Sequence, residues 1–516
     1  MKRRNFLRIG SLGLPVMLNG IPVAAMCQNS WSELLSNNDK VLVLIQLSGG
    51  NDGLNTFLPM SQYDKLAKVR SNIIIPKNQL IKTPTHGFHP SLALIKSIYD
   101  NGKMGILQSV GYPNQNRSHF RSTDIWTTGS SAEEVITTGW LGRYFELEHP
   151  TYPEDYPNNQ DTDPFAVTLG SLVSNTCQGT VANFSLAVKN PNRPSELTES
   201  GGENLYSNLT YGQHLKFLKT NIAQTNAYGE VIGKAAEKGN NLVNYTDENR
   251  LSQQLKNVAL MISGGLATKV YAVNLGGFDT HAAQVLDGEP TQGEHAELLT
   301  TLSQATTEFM DDLRQLGLEE RVLTMTFSEF GRRIQSNDSF GTDHGSAAPL
   351  MLFGSCVRQG FIGDEPEIPN VVDIQDGVAM QYDFRDVYGS VLMDWFGAKK
   401  QEVKDILFED FRYVSLLNDC STTGTTSIFA DEPFQVDHFP NPFTRQLQIE
   451  FESKEEWITL SIFDEVGKQV SVLVNERKQA GRHRVTFNAQ RLPAGNYYYH
   501  LLGENGRRIT KLVVKI

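Results

Sequence analysis

The run Lys40–Leu47 constrains this chain more than any other feature: it is almost wholly aliphatic, and Ser48-Gly49-Gly50-Asn51-Asp52-Gly53 stops it abruptly. Such a run, ended by glycines, predicts a strand buried on both faces of a parallel sheet. Met104–Val110, Lys269–Leu275, Arg321–Phe327 and Pro349–Phe353 read the same way. Between them, Pro90–Asp100, Ser252–Gly264 and Glu294–Leu316 repeat apolar residues at every third and fourth position, the helical period. Strands alternating with helices predict an α/β domain, a mostly parallel sheet flanked by helices. Ligands of such sheets bind beyond the carboxyl ends of the strands. Asp52, Asp279 and Glu329 each fall just past a strand. Carboxylates gathered at one place repel one another unless a cation or a basic group joins them, which argues for a metal.

At 516 residues the chain exceeds one ordinary domain. Its start is basic, Lys2-Arg3-Arg4, followed by a short, Gly- and Pro-broken apolar run to Ala25, the pattern of an export signal rather than a membrane anchor. Arg3-Arg4 before Asn5-Phe6-Leu7 resembles a twin-arginine signal and implies the twin-arginine translocase as a partner. Near the other end, Ser421–Ser427 is a polar linker. Beyond it, short alternating runs at Gln446–Phe451, Trp457–Phe463, Val470–Val474, His483–Phe487, Asn496–Leu502 and Ile509–Ile516 are separated by turn residues and predict a small all-β, immunoglobulin-like sandwich. The expected organisation is an export signal at 1–25, an α/β domain at 26–418 with a polar insertion or cap at about 144–250, a linker at 419–431 and a β-domain at 432–516. A formal charge of -12 disfavours nucleic acid as a partner. No internal run of apolar residues is long enough for a stable membrane span. Cys27, Cys177, Cys356 and Cys420 lack the close spacing of a zinc or redox site.

The chemistry-bearing residues cluster in a few segments. Asn51 and Asp52 sit on a glycine turn, Asp52 as a hard oxygen ligand or as a helix cap. Arg117-Ser118-His119 follows the second strand. Ser118 would begin a helix, where positive potential favours an alkoxide or a bound anion, although a plain N-cap needs the same residue. Arg117 suits an anionic group, and His119 suits proton transfer or metal ligation. Asp279 and His281 are an Asp-x-His pair of metal-ligating type, with a buried hydrogen-bonded pair as the alternative. Glu329, Asp343 and His344 extend the metal-ligating set. Arg332 is a candidate for anionic substrate, and His86 and His89 read as surface-loop residues.

Two resemblances follow from these residues. Phe439-Pro440-Asn441-Pro442-Phe443, Leu460–Asp464 with Gly467, Leu492–Tyr498 and Lys511–Ile516 resemble the type A sorting domain of the type IX secretion system of Bacteroidota. That resemblance implies handling by the type IX machinery and a final place at the cell surface or outside the cell. Leu47–Gly53, Arg117–Phe120, Gly139–Arg143, Gly277–His281, Phe327–Arg332 and Asp383-Phe384-Arg385 resemble the domain-of-unknown-function 1501 family, which is related in fold to the alkaline phosphatase and sulfatase superfamily. This implies a hydrolase scaffold with metal ligands at strand ends. The expected metal set is Asp52, Asp279, His281, Glu329, Asp343 and His344, holding divalent zinc, calcium or manganese. Ser118 and His119 are the expected catalytic pair, and Arg117, Arg332 and Asn51 the expected substrate contacts. Phe330 stands where the superfamily has a histidine, which questions a second metal. The sulfatase nucleophile pattern is absent around Ser118. The resulting expectation is an exported, metal-dependent hydrolase of phosphate or sulfate esters, with an anionic ester or glycan as its substrate. A non-catalytic binding protein or a structural surface component on the same scaffold are the alternatives.

Overall fold

The structure is a computed structural model. It describes residues 40–193, 210–418, 434, 436–464, 469–490, 492–503 and 508–516, with a short antiparallel pair at Met17–Leu18 and Ile21–Pro22. Apart from that pair, the expected export signal and the linker lie outside the described residues. The chain divides into two compact units, Met1–Thr423 and Gly424–Ile516.

The first unit is built on one nine-stranded sheet. Its strands are β1 Val41–Ser48, β2 Met104–Gly111, β3 Ala166–Leu169, β4 Ser185–Val188, β5 Val270–Gly276, β6 Val322–Phe327, β7 Ala348–Phe353, β8 Gly360–Ile362 and β9 Tyr382–Asp383. The order is β8-β2-β7-β6-β1-β5-β3-β4, with β9 also on β2. All five aliphatic runs read from the sequence are strands, within one or two residues at each end. The sheet is mostly parallel, as expected: β7 alone runs against the others, antiparallel to both β6 and β2. This reversal matters for the site. The residues that precede β7 lie at the edge where the parallel strands end.

The central strand β1 shows why the runs are aliphatic. Val43, Ile45 and Leu47 face a core shared with Ile95 and Ile98 of helix α1 (Ala93–Asp100), while the alternate residues Leu42 and Leu44 are equally buried. Burial on both faces removes any need for a polar alternation. The first core also takes Leu255, Val258 and Ile262 of Arg250–Ser263 and Leu299, Leu302 and Phe309 of Glu294–Gln315. On the other side, Trp126 stacks on Phe384, and Trp140 stacks on Tyr388. Arg143 is tied by donation to the Thr128, Thr138 and Ile406 carbonyls. Gly139 and Gly142 pack directly on the backbone at Thr176 and Gln178. The Gly139–Arg143 motif is therefore a packing device. So is Asp383-Phe384-Arg385, where Asp383 caps the helix Phe384–Phe396 and pairs with Arg385 at 2.6 Å.

Two readings are corrected here. The stretch 144–250 is not simply a cap: β3 and β4 lie inside it and extend the sheet beyond β5. Their runs are only four residues long, too short to stand out from a polar background. His86 and His89 are buried rather than on a surface loop. His86 stacks on Phe361 at 3.7 Å and meets Gln108, and His89 accepts from the Ser91 N–H. Among the cysteines, Cys177 is a free buried thiol and Cys356 is disulfide-bonded.

The second unit has two antiparallel sheets. One joins β10 Val436–Phe439, β11 Gln446–Ser453 and β14 Gly481–Asn488; the other joins β12 Glu456–Asp464, β13 Gln469–Lys478, β15 Gly495–Gly503 and β16 Arg508–Lys515. Ile458, Leu460 and Ile462 alternate inward on β12, and Tyr497, Tyr499 and Leu501 on β15. The period of two seen in the sequence is the buried face of these strands. Strand β10 was not anticipated, because Val436–Phe439 is too short to show a pattern.

Candidate functional site

The site lies where β1, β2, β5 and β6 end and β7 begins. Each of these strands delivers a short loop. Gly49 and Gly50 let the first loop approach the others. Gly49 has φ +121°, and a Cβ there would lie 2.3 Å from the Asp279 nitrogen. Gly50 has φ +85°, and its Cβ would lie 2.4 Å from the Phe330 ring. Both close approaches require a residue without a side chain. Gly49→Ala is expected to cost on the order of 3 kcal/mol, combining a disfavoured φ with a clash against backbone that has little room to move. A lower thermal midpoint in an otherwise folded variant would check this; an unchanged midpoint would refute the close approach.

From those loops, three histidines and one carboxylate converge. Asp279 Oδ1 lies 3.2 Å from His119 Nε2, 3.2 Å from His281 Nε2 and 3.0 Å from His344 Nε2. His281 Nε2 and His344 Nε2 are 2.8 Å apart. His119, Asp279 and His344 all offer ligand atoms within 4.8 Å of one another. Both Asp279 and His281 reach the cluster, as the Asp-x-His spacing predicts. The side chains are open to solvent, 48% for Asp279 and 43% for His281.

The far nitrogen of each ring is held by an oxygen. His119 Nδ1 meets Glu329 Oε1 at 2.8 Å, His281 Nδ1 meets Asp343 Oδ1 at 3.1 Å, and His344 Nδ1 meets the Arg117 carbonyl at 2.8 Å. A carbonyl or carboxylate oxygen accepts, so each Nδ1 carries the hydrogen. An imidazole with its hydrogen on Nδ1 leaves the Nε2 lone pair toward the centre. His119 Nε2 is buried and has no hydrogen-bond partner. Lone pairs and a carboxylate oxygen at about 3 Å repel one another, and a cation among them removes the repulsion. The His119, Asp279 and His344 donors, all within 4.8 Å of one another, therefore fit a metal ion.

Electrostatics keep the carboxylates ionised. Burial raises the Asp279 carboxyl, but the hydrogen bond and the charge of Arg332 outweigh it, holding the group down at about 2. Asp343 is likewise lowered: burial opposes, and hydrogen bonds from Asn337 and His281 with the Arg333 charge prevail. Burial lowers His344, keeping its imidazole neutral.

Several expected residues stand elsewhere. Asp52 is fully buried and ion-paired with Arg70 at 2.7 Å, with Gln284 donating to it at 2.7 Å. Arg70 thus supplies the compensating charge that a metal was expected to supply. Neither Arg70 nor Gln284 carried any signal in the sequence. Asn51 is buried, and its Oδ1 accepts from Thr56 and His295. Arg332 is also buried. Its guanidinium donates to the carbonyls of Gly50 at 2.7 Å, Thr342 at 2.8 Å, Phe278 at 2.7 Å and Gly49, and to Asp279 Oδ1 at 2.9 Å. It staples the loops together from a fully buried position. Glu329 and Asp343 meet the far nitrogens of histidines rather than the centre, and Glu329 Oε1 also accepts from the Gly49 N–H at 2.8 Å. His119 joins the converging group.

Ser118 precedes the helix His119–Thr128 as its N-cap residue, without using its side chain as a cap. It is exposed. The residues on either side are tied into the cluster, Arg117 by its carbonyl and His119 by its ring. The Arg117 guanidinium donates to Gln375, and Arg333 pairs with Asp343 at 3.1 Å.

Residues 437–515 match the family model described as a secretion system C-terminal sorting domain. The second unit is a sorting domain. It addresses the chain through type IX secretion to the cell surface or the extracellular space. Upstream of the sorting domain, residues 235–404 match the family described as protein of unknown function DUF1501. No curated protein matches by sequence. Similar solved structures include the PsFucS1 sulfatase from Pseudoalteromonas sp., at 11% identity, 90% of this chain and 87% of that one, with a TM-score of 0.35. They also include the lipoteichoic acid synthase LtaP from Listeria monocytogenes, at 9% identity, 72% and 76% coverage and a TM-score of 0.32. A third is a protein in the alkaline phosphatase superfamily from Vibrio parahaemolyticus, at 10% identity, 87% and 79% coverage and a TM-score of 0.30. Likenesses this loose say nothing about chemistry. Among the described residues, no helix is long and apolar enough to cross a membrane.

Proposed function

We propose that the first unit is a metal-dependent hydrolase of phosphate or sulfate esters, exported in two steps by the twin-arginine translocase and the type IX machinery. The observation that carries this reading is the gathering of His119, Asp279 and His344 at strand ends, with ligand atoms within 4.8 Å of one another and His281 Nε2 beside Asp279 and His344. A divalent cation held there, with zinc, calcium and manganese as the candidates, would supply Lewis-acid stabilisation of the negative charge that grows on the ester oxygens. The chain supplies the remainder. Ser118 is the proposed nucleophile: its Oγ bonds to the phosphorus or sulfur as the ester C–O–P or C–O–S link breaks, the serine proton leaves with the alcohol, and water then hydrolyses the ester on Ser118, returning a proton to Oγ and releasing the acid. Its place at a helix N-terminus favours the anionic form of the serine and an anionic group beside it. Arg117 and Arg333 add positive charge next to the cluster.

Ser118→Ala is expected to lower ester hydrolysis by at least about a hundredfold while leaving metal content and thermal stability unchanged. A broad panel of phosphate and sulfate esters, assayed with the metal-loaded full chain, checks this. If the loaded wild-type chain hydrolyses none of them, the hydrolase reading fails and the binding-protein alternative gains.

A further inference from the structure

We propose that a separate cavity, at the sheet edge opposite the histidine cluster, binds a small organic ammonium ion. The cavity measures about 310 Å³, within the range of small-molecule sites. Phe165 and Lys269 line it and immediately precede the parallel strands β3 and β5, whereas Asp279 follows β5. The length of β5 therefore sets the two places roughly 20 Å apart.

The lining is acidic. Glu148, Asp161 and Asp163 are three carboxylates against the one ammonium of Lys269. Burial lowers His149, on the same wall, so its imidazole adds no positive charge near pH 7. Such a lining repels an anionic ester and favours a cation. Two of the carboxylates are fixed by neutral donors. The Tyr144 hydroxyl donates to Glu148 Oε1 at 3.0 Å, and Asp163 accepts from the Ala267 N–H at 2.7 Å and the Thr162 hydroxyl at 2.6 Å. Asp161 receives no hydrogen bond among the described residues, and its Oδ2 stands 3.7 Å from His149 Nδ1. Asp161 is thus the open counter-charge. The spacing and the walls decide the kind of cation. Among the described residues, only His119, Asp279 and His344 bring three ligand atoms within 4.8 Å of one another, so the carboxylates of this cavity are too dispersed for a bare metal ion. The rings of Tyr144, Phe165 and Phe396 also line it, with Tyr144 and Phe396 stacked at 5.7 Å. Aromatic faces attract an organic ammonium through the ring quadrupole, most strongly where water is excluded.

Choline and spermidine serve as quaternary and primary-amine probes of the full chain, read by isothermal titration calorimetry at low ionic strength. Glucose and 3,3-dimethylbutan-1-ol, the uncharged carbon isostere of choline, are the comparisons. The expected result is one amine bound per chain, with no binding of glucose or the isostere at the same concentrations. Asp161→Asn keeps the shape and removes the charge, and should weaken amine affinity by at least about tenfold. Phe396→Leu removes a ring face and should weaken it by about two- to fivefold. His281→Ala, at the opposite edge, should leave amine affinity unchanged, which separates this cavity from the histidine cluster. Thermal midpoints confirm that each variant is folded. A chain that binds neither amine overturns the proposal. So does wild-type affinity in Asp161→Asn, equal binding of glucose or the isostere, or loss of binding in His281→Ala.

Discussion

Replacing Arg332 by alanine is expected to destabilise the first unit by about 3–5 kcal/mol, the cost of leaving the partners of a buried charge uncompensated. The guanidinium is fully buried and donates to carbonyls on three loops, at Gly49 and Gly50, Phe278 and Thr342, as well as to Asp279. Without it those oxygens keep their burial and lose their donors. Arg332→Lys should fare little better, since an ammonium cannot reproduce a planar fork that serves several directions at once. The loss of Asp279's partner should also loosen the histidine cluster around it. Urea unfolding and metal content measured on the same preparations check this. A variant with wild-type stability and a raised KM would return Arg332 to the substrate-binding role read from the sequence.

The second large effect is loss of stability in mild acid. Burial holds His86 at about 4, His89 at about 3 and His295 at about 4. All three are only 1–2% exposed. A histidine whose folded value is depressed contributes its full stability above about pH 6.5, and loses it as pH falls toward the folded value. At pH 5 each costs on the order of 2 kcal/mol, since one unit corresponds to about 1.4 kcal/mol. Together they reach about 6 kcal/mol, comparable to the whole stability of many domains. Asp386, pushed up to about 6 by burial, acts in the opposite direction. It is one group against three, and recovers only about 1.4 kcal/mol at pH 5. The thermal midpoint of chelator-stripped protein should therefore fall steeply between pH 6.5 and 5. Chelation keeps the release of any bound cation from contributing. A flat midpoint across that range would mean that the histidines are not held neutral.

Much of the fold was legible because both units advertise their periods. A strand buried on both faces has to be aliphatic throughout, and a sandwich strand has to alternate. The strands that escaped, β3, β4, β8, β9 and β10, are only two to four residues long. The candidate site was legible in part. Loops at strand ends named Asp279, His281 and His344, and Ser118 as the residue before a helix. Asp52 and Arg332 misled for one reason: sequence reveals a charge but not the partner that neutralises it. For Asp52 that partner is Arg70, and for Arg332 it is a set of carbonyls up to 283 positions away.

By itself, the sequence determined the α/β class, the sorting domain and the chemical types gathered at strand ends, because each follows from local pattern. Tertiary structure decided which of those residues meet. The antiparallel run of β7 brings His344 to the edge where β1, β5 and β6 end; a parallel strand would have left it at the opposite edge. Oxygens from distant segments decided which nitrogen of each histidine faces the centre, because the hydrogen on Nδ1 must point at an acceptor and the lone pair is then left on Nε2.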